Sequence, residues 1–327
     1  MTNFSAPKGL CHAWLLDGAG GGTQLDWDRA EAWLPEQGCL WLHLEFEDPE
    51  VDKWLRDYSG LNEIAINALL SDETRPRTQN LRDELLLALR GVNLNPGSDP
   101  EDMVSIRLWT DGRRVISTRR RPLLSTQDVL QRIEAGNGAV DAADLIADLI
   151  ERIVMRMSDT VENLEDEVMG LEERVLVSTP AALRYELALL RKQTIAIRRY
   201  LAPQREALNR LVMEKFSWMG EINSLHIREI NDRLIRHIED IDAVRERAAL
   251  AQEELLSRIS EQINERMYVL SIVAAVFLPL GFFTGLMGIN VGGMPGVEDG
   301  NAFWWVVAAC VGVMLVLGGI FRWKKWL

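Results

Sequence analysis

From Met267 to Asn290 the chain reads MYVLSIVAAVFLPLGFFTGLMGIN, with no charged residue. About 20 consecutive apolar residues are what a helix needs to cross a bilayer core. The stretch continues a longer pattern. Apolar residues at steps of three and four run through Ile227, Ile230, Leu234, Ile238, Ile241, Val244, Ala248, Ala251, Leu255, Ile259 and Ile263 and on into Met267, Leu270, Ala274 and Leu278. Such steps mark a bundle or coiled-coil seam. No glycine or proline intervenes before Pro279. The pattern predicts one helix from near Ser224 to Met287, roughly 95 Å long at 1.5 Å per residue. A single chain cannot bury such a stripe along its whole length. The stripe must pack on the chain's own helices, on further copies around an axis, or on both.

A second apolar span, Ala302–Phe321, lies close to the C-terminus, and the short connection 288–301 carries only Glu298 and Asp299 as charges. Arg258 and Arg266 precede the first span; Arg322, Lys324 and Lys325 follow the second. The positive-inside rule then puts both ends in the cytoplasm and the acidic loop outside. Trp304, Trp305, Trp323 and Trp326 flank the second span as interfacial anchors.

The remaining sequence reads as soluble protein. Residues 1–140 predict an α/β domain. Its strands are expected at His12–Asp17, Cys39–Phe46, Glu84–Val92, Val104–Thr110 and Val115–Arg119, and its helices near Trp27–Leu34, Pro49–Tyr58, Asn62–Leu70 and Thr126–Ala135. Asp111-Gly112 is a hairpin turn, and Asn93–Asp102 a loop. Residues 141–223 predict a helical hairpin: a first helix over Asp144–Val177, a break at Ser178-Thr179-Pro180, and a second helix from Pro180 to about Trp218 with a kink at Pro203. Residues 224–266 form a stalk helix, followed by the first span at 267–287, the loop at 288–301, the second span at 302–321 and a basic tail at 322–327.

Charge and motifs narrow the function. A net charge of −13 argues against a nucleic-acid partner. Cys11, Cys39 and Cys310 form no C-x-x-C pair. The N-terminus lacks a basic-then-apolar leader, so the soluble part is expected to stay in the cytoplasm. The glycines at Gly18–Gly22 lack the lysine of a phosphate loop, and no nucleophile elbow or catalytic cluster stands out; an enzyme or an ATP-driven pump is not expected. His12 and His43 fall on strands, and His226 and His237 on the stalk three turns apart. They read as core or surface histidines, and no high-affinity metal site emerges.

Projected onto the first span, the stalk stripe gives Asn264, Met267, Leu270, Ala274, Leu278, Gly281, Gly285 and Gly288 on one face. Tyr268, Ile272, Phe282 and Phe283 fall mostly elsewhere, suited to lipid or to the second span. Small residues bring backbones close to an axis, and apolar rings such as Met267 and Leu270 can close a pore by dewetting it. This face reads as the wall of an ion pore. A membrane-anchored coiled-coil scaffold or sensor would not require the small residues.

The first span ends in Gly288-Ile289-Asn290. Met294-Pro295 follows in the loop, the span carries Phe277-Leu278-Pro279-Leu280 and Gly285, and the chain ends in Arg322-Trp323-Lys324-Lys325-Trp326-Leu327. Together these resemble the CorA family of divalent-cation transporters. The resemblance is specific over Asn264–Leu327 and architectural over the rest. The family's usual motif is Gly-Met-Asn; Ile289 in the middle looks like the ZntB branch, which is associated with zinc. The resemblance implies a CorA-like homopentamer in a bacterial inner membrane, with the first span of each subunit lining the pore. It implies pore-facing positions at Asn264, Met267, Leu270, Leu278 and Gly285 and the motif positions Gly288 and Asn290. Joined with Ala274 and Gly281 of the stripe and with Ile289, these make the expected pore and selectivity path, with Asn264, Met267 and Leu270 near a gate. Asn290 would form a ring at the outer mouth, where amide oxygens hold a hydrated ion without stripping its shell. Glu298 and Asp299 would raise the local cation concentration. The metal is cargo, and no cofactor is expected. Zinc is the expected ion, with magnesium, cobalt or nickel as alternatives within the family. Neither span carries an Asp, Glu, Lys, Arg or His to relay a proton. Downhill uptake is therefore favoured, and any proton coupling would run through residues outside the spans.

Overall fold

The computed structural model describes residues 5–72, 75–177, 181–289 and 300–324. The chain divides into two compact units, Met1–Glu253 and Glu254–Leu327.

The first unit is built on a seven-stranded sheet in the order β2-β1-β3-β7-β6-β5-β4. Its strands are β1 (Leu10–Leu16), β2 (Gly22–Gln24), β3 (Leu40–Glu45), β4 (Arg77–Leu81), β5 (Glu84–Gly91), β6 (Val104–Thr110) and β7 (Arg114–Arg119). Only β3 and β7 pair in parallel; the other neighbours are antiparallel. Alternation along the strands supplies two apolar faces. On one, Leu40, Leu42, Leu44 and Ile116 join a buried cluster with Trp27 of α1 (Trp27–Glu31), Val51, Trp54 and Leu55 of α2 (Pro49–Asp57), and Ile66 and Leu69 of α3 (Glu63–Leu69). Each fully buried side chain of this kind contributes about 1.5–3 kcal/mol. Asp26, Asp48 and Asn62 cap the three helices by accepting from backbone N–H groups at 2.9, 3.0 and 2.9 Å. On the other face, Leu87, Leu89, Ile106 and Leu108 meet Ile146, Leu149, Ile150 and Ile153 of α5 (Ala142–Val177). The helix α4 (Leu124–Glu134) precedes α5.

Two further helices, α6 (Ala181–Met213) and α7 (Glu221–Met287), continue the chain. Polar rungs fix their directions. Asn223 donates to Asp144 at 2.9 Å, His237 meets Ser158 at 3.2 Å and Arg247 donates to Glu172 at 3.0 Å, so α7 ascends alongside α5. Asn231 to Asn209 at 2.7 Å and Arg191 to Gln252 at 2.7 Å make α6 antiparallel to α7. The stripe of α7 is buried here, with Ile227, Ile230, Leu234, Ile241 and Ala248 all at 0% exposure.

Several boundaries differ from the sequence reading. The first helix stops at Glu31, with a 3-10 turn at Pro35–Gln37. The hairpin's second helix stops at Met213, short of Trp218, because the following residues are held by the sheet. Ser217 donates its N–H to Asp83 at 2.7 Å and its hydroxyl to the same carboxylate, and Trp218 Nε1 donates to the Asp83 carbonyl at 2.8 Å. Trp218 also lies over the Asp111-Gly112 turn so closely that a Cβ on Gly112 would sit 2.2 Å from its ring. Gly112 has φ +85°, so glycine is required there twice over. The expected break at Ser178-Thr179-Pro180 lies outside the described residues.

In the second unit α7 continues to Met287, and α8 spans Ala302–Trp323. Both helices contain windows apolar enough to cross a membrane.

Candidate functional site

Within the two apolar spans, shelter is confined to one side of each helix. On α7 the less exposed positions are Ile272, Val276, Leu280 and Phe283, with Leu280 at 8% exposure. On α8 they are Ala302, Val306, Cys310, Leu317, Gly318 and Phe321, the last at 7%. Both sets follow steps of three, four or seven, the pattern of a helical stripe. These stripes are the sheltered sides of the two apolar helices. Of the bulky residues off the pore stripe, Ile272 and Phe283 are half-buried, whereas Tyr268 and Phe282 are exposed at 40% and 73%.

The proposed pore face lies on the other side. Asn264, Met267, Leu270, Ala274, Leu278, Gly281, Gly285, Gly288 and Ile289 are all exposed. Met267, Leu270 and Leu278 reach 60%, 68% and 77%. At about 100° per residue, this stripe is centred about 160° from the sheltered one. A Cβ added to Gly281 or Gly285 would meet nothing within 4 Å. Among the described residues nothing packs closely enough to call for glycine at these positions.

Two hydroxyls flank the stripe that sequence reasoning did not single out. Ser271 donates to the Met267 carbonyl at 2.8 Å and Thr284 to the Leu280 carbonyl at 2.9 Å. Each proton is committed to its own helix, which leaves the oxygen lone pairs as acceptors. Their signal in the sequence was a lone polar residue in an apolar run. Pro279 sits inside the helix and supplies no N–H to the turn before it. At the end of α7, Gly288 still donates to the Thr284 carbonyl at 3.0 Å. Asn290, Glu298 and Asp299 lie outside the described residues.

The four histidines belong to the first unit. His12 and His43 stack at 4.8 Å inside the sheet unit. His43 Nδ1 meets the Ser117 hydroxyl at 2.7 Å, which also accepts from Trp41 Nε1 at 2.8 Å. Burial, with the Arg119 charge beside it, pushes His12 down to about 3. Burial, then His12 and Arg119, pushes His43 down as well. Both imidazoles are neutral core groups. His226 lies 3.8 Å from Glu151, and His237 is held down chiefly by burial. Among the described residues no three His, Cys, Asp or Glu side chains converge on a point that could hold a metal ion.

Residues 36–323 match the family model described as CorA-like Mg2+ transporter protein. The chain belongs to the CorA family. It is 41% identical over 324 residues to the divalent cation transporter CmaX of Pseudomonas aeruginosa, covering 98% of this chain and 97% of that protein. It is 34% identical over 319 residues to the zinc transport protein ZntB of Yersinia enterocolitica, covering 97% and 95% of the two chains. The solved structure of full-length CmaX superposes with a TM-score of 0.86 at 39% identity, covering 99% of this chain and 100% of that one. The N-terminal α/β unit, the long helices and the two C-terminal candidate membrane helices are thus a CorA-like architecture.

Proposed function

We propose that this protein is a divalent-cation transporter of a bacterial inner membrane, with zinc as its main cargo, working as a homopentamer whose α7 helices line the pore. The observation that carries this reading is the exposed stripe of α7, opposite its sheltered side and bearing glycines that no contact among the described residues requires. Five copies around an axis would bring those glycines together and leave a path for a hydrated ion. The names of the CmaX and ZntB relatives supply the cargo class, and the ZntB likeness together with Ile289 favours zinc.

In this reading Met267 and Leu270 form the apolar constriction at the cytoplasmic end, with Asn264 at its inner edge. Ala274, Leu278, Gly281, Gly285, Gly288 and Ile289 lead to an Asn290 ring at the outer mouth. Glu298 and Asp299 attract cations to it. Both termini are cytoplasmic, with the α/β unit, the hairpin and the stalk on that side. A divalent ion moving inward gains about 4.6 kcal/mol per 100 mV of inside-negative potential, so uptake runs downhill without a chemical fuel.

The test is flux into proteoliposomes loaded with a zinc-sensitive dye. Zinc entry that rises with inside-negative potential and falls in Asn290→Ala is expected. No zinc flux, or an Asn290→Ala variant that behaves as the parent, would sink the proposal. Faster flux of magnesium, cobalt or nickel than of zinc would move the cargo and keep the pore. A pH gradient that changes the zinc rate would add proton coupling.

A further inference from the structure

The chain is acidic overall, at −13, yet one end of its sheet gathers guanidinium groups. Arg90 near the end of β5 pairs in register with Ser105 of β6, and Arg107 stands two residues further along the same face. Arg120 and Arg121 directly follow β7. Asp72, Asp102, Arg90, Ser105, Arg120 and Arg121 line a cleft of about 510 Å³, together with Tyr200.

The arginines are held in place. Arg90 Nη1 donates to the Met103 carbonyl at 3.0 Å, and its guanidinium lies 4.1 Å over the Tyr200 ring. Arg121 grips both oxygens of Asp102, Nη2 at 3.2 Å from Oδ1. Arg120 Nε meets Glu47 at 2.7 Å. Behind this wall Arg107 is 2% exposed and lies 4.5 Å over the Phe46 ring. Its Nη2 donates to the Asp72 carbonyl at 2.9 Å, while Nε and Nη1 have no partner. Burial, and after it the charge of Arg90, lowers Arg107 to about 10, so it remains a cation at neutral pH. A buried cation with unanswered donors is costly. Among the described residues, four guanidinium groups stand against the carboxylates of Asp72, Asp102 and Glu47.

We propose that this cleft binds a phosphate-class oxyanion, with Arg90, Arg120 and Arg121 as its cationic wall, Ser105 as a hydroxyl donor and Asp72 as a built-in repulsion that sets the affinity. Planar guanidinium forks match the spacing of phosphoryl oxygens. The volume falls within the range of small-molecule sites, about 300–1,000 Å³, which admits pyrophosphate or the phosphates of a nucleotide. Arg107 supplies charge from behind without needing to touch the ligand. The site lies wholly in the first unit and is independent of the ion pathway.

The test is calorimetric titration of the full-length protein in detergent, free of divalent metal, with sodium phosphate, sodium pyrophosphate and ATP against sodium chloride at matched ionic strength. Saturable binding of phosphate compounds, and none of chloride, is expected. Equal binding of pyrophosphate and ATP would identify an inorganic ligand, and binding of ATP alone a nucleotide; either supports the site. Arg120→Glu should weaken binding at least about tenfold. Asp72→Asn should tighten it about threefold to tenfold, because the backbone of Asp72, not its carboxylate, holds Arg107. The Asp72 variant keeps the test sound even if Arg120→Glu disturbs folding. Chloride binding as well as phosphate, or an affinity that Asp72→Asn leaves unchanged, would overturn the proposal.

Discussion

One helix, α7, carries the same apolar stripe through two different settings. From Ile227 to Ala251 the stripe is buried, with Leu234 and Ile241 at 0% exposure. Further along the same stripe Ile263, Met267, Leu270 and Leu278 are 51%, 60%, 68% and 77% exposed. The residue types barely change; the surroundings do. In the first setting the chain's own helices supply the partner. In the second no partner among the described residues covers that face, which leaves it to lipid, water or another copy. An apolar stripe therefore reports a need for contact and not who meets it.

Mutations can test this contrast directly. Leu234→Ala removes side-chain volume from the buried part and should cost about 2–5 kcal/mol, read as a lower unfolding midpoint in detergent. A cost below about 1 kcal/mol would mean the burial is not what holds α7. Leu270→Ser on the exposed part should leave that midpoint within about 0.5 kcal/mol. It should raise resting zinc leak into proteoliposomes about tenfold, by wetting an apolar constriction. Unchanged leak would remove Leu270 from the gate.

Acid sharpens the contrast in another way. His12 and His43 are neutral in the folded chain, with His12 at about 3 instead of its ordinary 6.5. The unfolded chain takes up protons below pH 6.5 and the folded one does not. The stability this contributes is present above that value and is lost as pH falls toward about 3. Each histidine should remove about 1.4 kcal/mol per pH unit well below pH 6.5. Unfolding followed from pH 7 to pH 5 should show the slope, and His12→Gln should flatten it. A modest gain in stability is expected at Gly281→Ala. A helix gains up to about 1 kcal/mol from that exchange, and nothing in the chain is in the way. Zinc flux should nevertheless fall. Undiminished flux would show that the glycine face is not a pore wall.

Much of this architecture was legible from the residues. Five strands, the helices of the α/β unit and both apolar spans lie where periodicity put them, within a few residues. The two strands that were missed, β2 and β4, are the edges of the sheet. Gly-Thr-Gln is too short for a pattern, and Arg-Thr-Gln-Asn-Leu is polar, as befits edges that must not recruit other chains. The stop of α6 at Met213 was not legible because it depends on Asp83, more than 130 positions away in sequence. The arginine cleft was hidden for the same reason. Arg90, Arg107 and Arg120 look like ordinary polar positions in or beside strands until pairing brings three strands together. The exposed face of α7 was legible as a stripe. Which side of the span is sheltered was not, because no pattern in α7 alone says where its cover lies.

Pro279 leaves a last consequence. Because it brings no amide hydrogen, the carbonyl of Ala275, one turn earlier, loses the donor that a helix ordinarily sets four residues on. In water such a group is satisfied at once. In hydrocarbon it costs several kcal/mol. The helix therefore carries, in mid-span, both a standing invitation to a solvent molecule or a neighbour's hydroxyl and its mechanically softest joint. Wherever that oxygen finds its donor, the angle between the lower and upper halves of the span is decided at the same atom.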